Sequence, residues 1–323
     1  MVASAPGQIF LFGEHAVVYG QMALATTIDK YTRVRGKVRS DKRFEVSSKG
    51  VGKLSGKVGK LGDRWLIRSK TGDVEKLNYV TKATEFTFDY VGKGKGLTLQ
   101  IESDFPISSG LGSSSAVTVA TIAAASKSLG ETLNKEEVSE LAFDTEMAVQ
   151  GAASKTGVMA ATYGNFIKVV EDRVEHVQNF PRPSILIGYT GVYARTPELI
   201  KVVKELRESH PEIFELALEV IGEITRLGST ALEQRDFKKV GAFMNVNQTF
   251  LELLGASSPE LRRLILAALQ AGALGAKLTG AGGGGSMIAF SPGNSSKVAK
   301  AIEEKNGQAI IAKIGVEGLR VSD

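Results

Sequence analysis

Pro106-Ile107-Ser108-Ser109-Gly110-Leu111-Gly112-Ser113-Ser114-Ser115-Ala116, with the Ala-rich run to Leu129 behind it, decides how this chain folds and what it can hold. Glycines let the backbone turn tightly and bring its N–H groups close to a ligand. The Ala-rich run has strong helix propensity. A helix therefore starts directly after the turn, with free N–H groups and the positive end of its dipole at the loop. A triphosphate suits that geometry, and the serines add hydroxyls for phosphate oxygens or Mg²⁺. No Gly-Lys-Ser/Thr closes the loop, so it is not a Walker loop. A Gly/Ser turn before a helix is, taken alone, more often a simple cap.

Working outward, residues 97–102 (LTLQIE) alternate apolar and polar side chains, as a half-buried strand does. Residues 8–19 (QIFLFGEHAVVY) read as a short apolar strand, a Gly-Glu-His turn and more strand. Residues 31–98 are β-rich, with segments such as RWLIRSK and FTFDYV between Gly and Asp breaks. Downstream, Asn134 caps a second helix, with Glu136 and Glu137 in its first turn, ending near residues 150–151. A strand pair is expected around residues 163–170 and 185–187. Residues 196–254 and 259–271 are helical by period. Strands at 276–278 and 286–290 flank a glycine run, followed by a helix at 296–305 and a final strand at 308–314. The pattern is β-rich first and mixed second: an α+β chain in two lobes, residues 1–180 and 181–323, without a linker or internal repeats.

Composition narrows the function classes. The 323 residues include no Cys, which excludes disulfides and thiolate metal sites. His15, His176 and His210 lie far apart and lack metal-ligand spacing. The net charge of +5 is concentrated between Lys30 and Lys95, in a Gly- and Lys-rich stretch poor in stacking aromatics. That reads as a solvated hairpin rather than a nucleic-acid surface. A basic cleft would also suit an anionic nucleotide. No apolar run is long enough to span a membrane and no leader pattern opens the chain, so a cytoplasmic protein without membrane or nucleic-acid partners is expected.

Three motifs together resemble the GHMP kinases, and among them the archaeal mevalonate kinases. Pro106 to Ala116 is similar to that family's nucleotide motif. Ala5-Pro6-Gly7 followed by Gly13-Glu14-His15-Ala16-Val17-Val18-Tyr19-Gly20 is similar to the opening motif of mevalonate kinases. Gly275-Ala276-Lys277-Leu278-Thr279-Gly280-Ala281-Gly282-Gly283-Gly284-Gly285 is similar to the third motif. The resemblance covers the chain except for residues 50–73. It implies a two-lobe GHMP kinase fold, with an N-terminal lobe like domain 2 of ribosomal protein S5 and a ferredoxin-like α+β C-terminal lobe. ATP would lie on Pro106, Ser108, Ser109, Gly110, Leu111, Gly112, Ser113, Ser114, Ser115 and Ala116. Mg²⁺ would be held by Ser114 and Glu146, although Glu146 by itself reads as a helix-surface charge. Mevalonate, or a similar small hydroxy acid, would meet Glu14 and His15, with Thr196, Lys277, Thr279, Gly280 and Ala281 nearby. A homodimer is the family expectation.

The chain departs from the family pattern at its catalytic pair. The lysine that follows Pro-Gly is Gln8 here, and the aspartate expected eleven residues beyond Glu146 is Gly157. A general base contributes on the order of 10²–10⁴-fold. Positioning, Mg²⁺ and electrostatics carry much of phosphoryl transfer, so loss of the base need not abolish it. Lys155 either supplies replacement positive charge or is a solvent-facing loop residue. Three activities fit: phosphorylation of mevalonate to 5-phosphomevalonate in isoprenoid biosynthesis; a related kinase with a shifted acceptor, such as the 3-hydroxyl; or a homologue that binds ligands without turnover.

Overall fold

The computed structural model describes residues 1–106, 109–151, 154–170, 173–193 and 196–322, the side chains of 196–201 excepted. The chain begins with β1 (Val2–Phe12), a short 3-10 helix (Ala16–Tyr19), β2 (Ala23–Val38), β3 (Arg43–Ser48), β4 (Gly52–Leu61) and β5 (Arg64–Gly72). It continues through α1 (Asn78–Val91), β6 (Leu97–Ser103), α2 (Ser113–Ser128), α3 (Lys135–Gln150), α4 (Lys155–Tyr163), β7 (Phe166–Val170) and β8 (Arg173–Val177). Next come β9 (Ser184–Tyr189), α5 (Thr196–Ser209), α6 (Pro211–Glu233), α7 (Phe237–Leu253) and α8 (Pro259–Gln270). The last elements are β10 (Gly275–Thr279), β11 (Ser286–Phe290), α9 (Ser295–Glu303), β12 (Gln308–Lys313) and β13 (Arg320–Ser322).

Among the described residues the strands form two sheets. The larger has the order β13-β1-β2-β6-β3-β4-β5, with β7 and β8 added beside the start of β2. The long β2 serves both branches: residues 23–26 pair with β7 and residues 32–38 pair with β6. The smaller, antiparallel sheet has the order β10-β11-β9-β12. Helices α1 to α4 cover one face of the large sheet; one apolar core runs from there into residues of β9, α6, α7, β11 and β12, and a second lies among α6 to α9 and the small sheet. The α+β, two-lobe GHMP kinase architecture expected from the motifs is present.

Local chemistry explains the elements that place the site. Asn134 Oδ1 accepts from Glu137 N at 3.0 Å, and Glu137 Oε2 accepts from Asn134 N at 2.7 Å, a reciprocal cap that fixes the start of α3. α2 is buried nearly all round because its alanines let β1, β2, α1 and α3 approach closely. Two sequence expectations fail on local propensity. FTFDYV is the end of α1, not a strand: Val80, Thr84, Thr87 and Phe88 recur at helical spacing and bury one face. Thr84 and Thr87 hydroxyls donate to the carbonyls four residues back, at 2.8 and 2.7 Å. Packing thus overrides β propensity. Residues 16–19 form the 3-10 helix rather than strand, since Gly13 and His15 both adopt left-handed φ and break the extension. The pairing expected between residues 163–170 and 185–187 is also replaced. β7 joins the large sheet and β9 the small one.

Candidate active site

A cleft of about 1680 Å³ runs between the lobes. Its floor is the glycine-rich turn before α2. Gly110 and Gly112 have φ of +76° and +69°, a region open to glycine. Gln8 N on β1 donates to Leu111 O at 2.9 Å and pins the turn. The first intrahelical bond of α2 is Ala116 N to Gly112 O at 3.0 Å, and among the described residues no side chain caps the end. The amides of residues 113–115 therefore lack helical acceptors and sit at the positive end of the helix dipole. This is a concave anion cradle.

Pro106, Gly110, Gly112, Ser113, Ser114 and Ser115 line the cleft. Ser109, Leu111 and Ala116 do not: they are buried, and Ser109 Oγ donates back to Pro106 O at 2.7 Å. Their contribution is the shape of the turn. Ser108 lies outside the described residues.

Beside the cradle, α3 presents Glu146, which is 5% exposed. Ser115 Oγ donates to Glu146 Oε1 at 2.8 Å. Burial pushes the Glu146 carboxyl up to about 7, against the pull of hydrogen bonds from Ser115 and Ser114. Tyr79 packs on the same corner, hydrogen-bonded with Gln150 and Ser114. Burial first, and the Glu146 charge second, raise its phenol to about 12. A hard divalent cation fits this corner: oxygen donors stand side by side, and among the described residues no cation contacts the buried carboxylate to offset its desolvation. No group of three or more His, Cys, Asp or Glu that could hold a metal ion is found among the described residues. The participation of Tyr79 and Gln150 was not legible in the sequence, where neither belongs to a motif.

Across the cleft, His15 Nε2 donates to Ala281 O at 2.8 Å, because a carbonyl can only accept. That contact leaves Nδ1 as an acceptor in the neutral ring. Burial lowers the His15 pKa and keeps the ring neutral. His15 and Ala281 line the cleft. Glu14 and Lys277, expected to meet substrate, are instead a buried ion pair behind that wall, 2% and 0% exposed. Lys277 Nζ also donates to Leu278 O at 2.7 Å. Desolvation raises the Glu14 pKa and lowers that of Lys277, while their mutual attraction and hydrogen bond oppose both shifts, so neither can lose its partner cheaply. Thr279 is likewise a strut: its Oγ1 accepts from Phe10 N at 2.9 Å. Gly280 backs onto Gly110, where an added Cβ would lie 3.0 Å from the Gly110 carbonyl oxygen. The Thr196 side chain lies outside the described residues.

The structure brings Gln8, Lys155 and Gly157 to the cleft wall. Lys155 is exposed at the start of α4, its ammonium 5.6 Å from the Phe143 ring centroid. The sequence had not shown α4 as a helix, because Ser154-Lys155-Thr156-Gly157 gives little propensity. Ser154 caps it, its Oγ accepting from Thr156 N at 3.2 Å.

The model of the GHMP kinases N terminal domain matches residues 78–165, and that of the GHMP kinases C terminal matches residues 229–308. The mevalonate kinase of Pyrococcus abyssi is 38% identical over 330 aligned positions, which span 100% of this chain and 98% of that protein. The mevalonate kinase of Thermococcus onnurineus is 39% identical, with the same coverage. The chain belongs to the mevalonate kinase family of GHMP kinases. The crystal structure of the Methanococcus jannaschii mevalonate kinase superposes with a TM-score of 0.80 at 25% identity, covering 97% of this chain and 98% of that one. The anion cradle of this GHMP kinase lies within the first matched segment, as does Glu146. The wall carrying Thr279 and Ala281 lies in the second. No helix among its described residues is long and apolar enough to cross a membrane.

Proposed function

We propose that the chain transfers the γ-phosphoryl group of ATP to the 5-hydroxyl of mevalonate, giving 5-phosphomevalonate for isoprenoid biosynthesis. The observation that carries this reading is the open amide cradle at the start of α2, beside the buried Glu146 corner and opposite His15. Full-length similarity to mevalonate kinases supports the choice of acceptor. The cradle amides would hold the β- and γ-phosphates. Ser114 and Glu146 would hold Mg²⁺, which neutralises phosphate charge when bound. The neutral His15, with Nδ1 free to accept, would receive a hydrogen bond from the acceptor molecule. The acceptor oxygen attacks the γ-phosphorus, and the bond to the β,γ-bridging oxygen breaks with its electron pair leaving on ADP. The hydroxyl proton ends on the transferred phosphoryl group or in solvent. Such a loose transition state depends mostly on positioning and electrostatics.

Coupled ADP release with mevalonate as acceptor tests the proposal, with mass spectrometry of the product locating the phosphate. Mevalonate-dependent turnover and a 5-phosphate are expected. No turnover at saturating ATP and Mg²⁺, or a phosphate on the 3-hydroxyl, would overturn it.

A further inference from the structure

Gly157 sits in the first turn of α4, in a wall of the cleft. Its φ is not in the left-handed region, so the backbone there does not call for glycine. Space does. An added Cβ would overlap Ser115 Oγ and lie 2.9 Å from Gln8 Nε2. Both neighbours are held in place. Ser115 is 4% exposed and bonded to Glu146. Gln8 is 7% exposed, its backbone is tied to Leu111, and its side chain packs against Gly112, in the space an added Cβ there would take. Among the described residues Gln8 Oε1 is buried without a hydrogen-bond partner, although Gln8 borders the cleft. A buried polar atom left unmatched costs stability unless a ligand matches it.

We infer that Ser115 and Gln8 together fill the volume that a side chain at position 157 would take, and that this uncharged pair, through the Gln8 carboxamide, orients the acceptor molecule. Gln8 is then a substrate-contacting residue and Ser115 a positioning residue that sets what position 157 can be. The second half rests on the kinase reading above; the packing half does not. No proton transfer is assigned to the pair.

Two measurements decide it. The first is a ligand-free melting cycle over Gly157→Ala, Gly157→Asp, Ser115→Ala and the doubles. Overpacking should lower the melting temperature of either Gly157 variant by about 3–6 °C. Ser115→Ala should return most of that loss in the same background, a non-additive result. A wild-type melting point for Gly157→Ala, or purely additive doubles, would overturn the packing claim. Gly157→Ala keeps the test readable if Gly157→Asp fails to fold.

The second is calorimetry with mevalonate and, separately, a non-hydrolysable ATP analogue. Gln8→Met, similar in length but without hydrogen-bonding groups, should weaken mevalonate binding about tenfold and leave the analogue within about twofold. Equal losses for both ligands, or none for mevalonate, would overturn the orienting role. If the wild-type chain takes up no mevalonate, the substrate assignment and the orienting role fall together, while the melting cycle still decides the packing.

Discussion

The two glycine turns that meet in the cleft are built for opposite purposes. The turn at residues 110–112 opens a helix and leaves the following amides facing the cleft. The turn at residues 280–285 joins two strands and commits its polar groups to the chain. Gly283 N donates to Ala256 O at 2.9 Å and Gly285 N to Val192 O at 2.8 Å, while Gly285 O accepts from Thr190 N at 2.9 Å. They touch back to back, since a Cβ on Gly110 would lie 2.8 Å from Thr279 O and one on Gly285 would lie 2.9 Å from Ser109 O. One turn is a socket and the other a clamp behind it. Glycine content alone does not make a phosphate site; what matters is where the amides spend their hydrogen bonds.

The contrast breaks most sharply at Gly282. Its φ is +84° and an added Cβ would overlap the Ala256 carbonyl oxygen, which is backbone and cannot swing away. Gly282→Ala should cost more than about 3 kcal/mol and leave little folded protein, read by urea unfolding. Lys277→Met comes next, since it strands the Glu14 carboxylate behind the clamp. A loss of about 3–5 kcal/mol is expected, most of it recovered when Glu14→Leu is added. In the socket, Gly112→Ala meets side-chain atoms of Gln8 rather than backbone, and its cost is chiefly that of the left-handed φ, so the stability loss should be about 1–2 kcal/mol. Affinity for an ATP analogue, measured by calorimetry, should fall at least about tenfold. Equal stability losses for the Gly112 and Gly282 variants would erase the distinction.

The smallest effect belongs to His15, which links the opening turn to the clamp through Ala281. Its folded pKa lies below the ordinary 6.5, chiefly through burial. A depressed folded value means that stability is full above the unfolded pKa and drains as pH falls through the folded one. Melting temperature should therefore decline below pH 6.5, more steeply in wild type than in His15→Gln. Parallel profiles would show that His15 titrates as it does in the unfolded chain.

Much of this was legible in sequence because it is local. The Asn134 cap, the Ala-rich helix and the strand–glycine–strand order of residues 275–290 each depend on neighbours within a few positions. α1 was misread because the β-favouring residues in FTFDYV settle as helix only when the large sheet covers their apolar face. The site was harder to read for the same reason. Glu14 and Lys277 lie 263 positions apart, and nothing local shows that they satisfy one another rather than a ligand. Gly157 reads as a missing acid until Ser115 and Gln8 are seen to fill its space.

The bend and tail after β12 carry one more consequence. Gly315 N donates to Thr26 Oγ1 at 3.0 Å across 289 positions, and β13 completes the edge beside β1. During synthesis the first half emerges long before the strand that will flank it. Its opening edge stays unpaired for most of translation, a state prone to wrong pairing. Closure over so long a loop also slows the search for the native state.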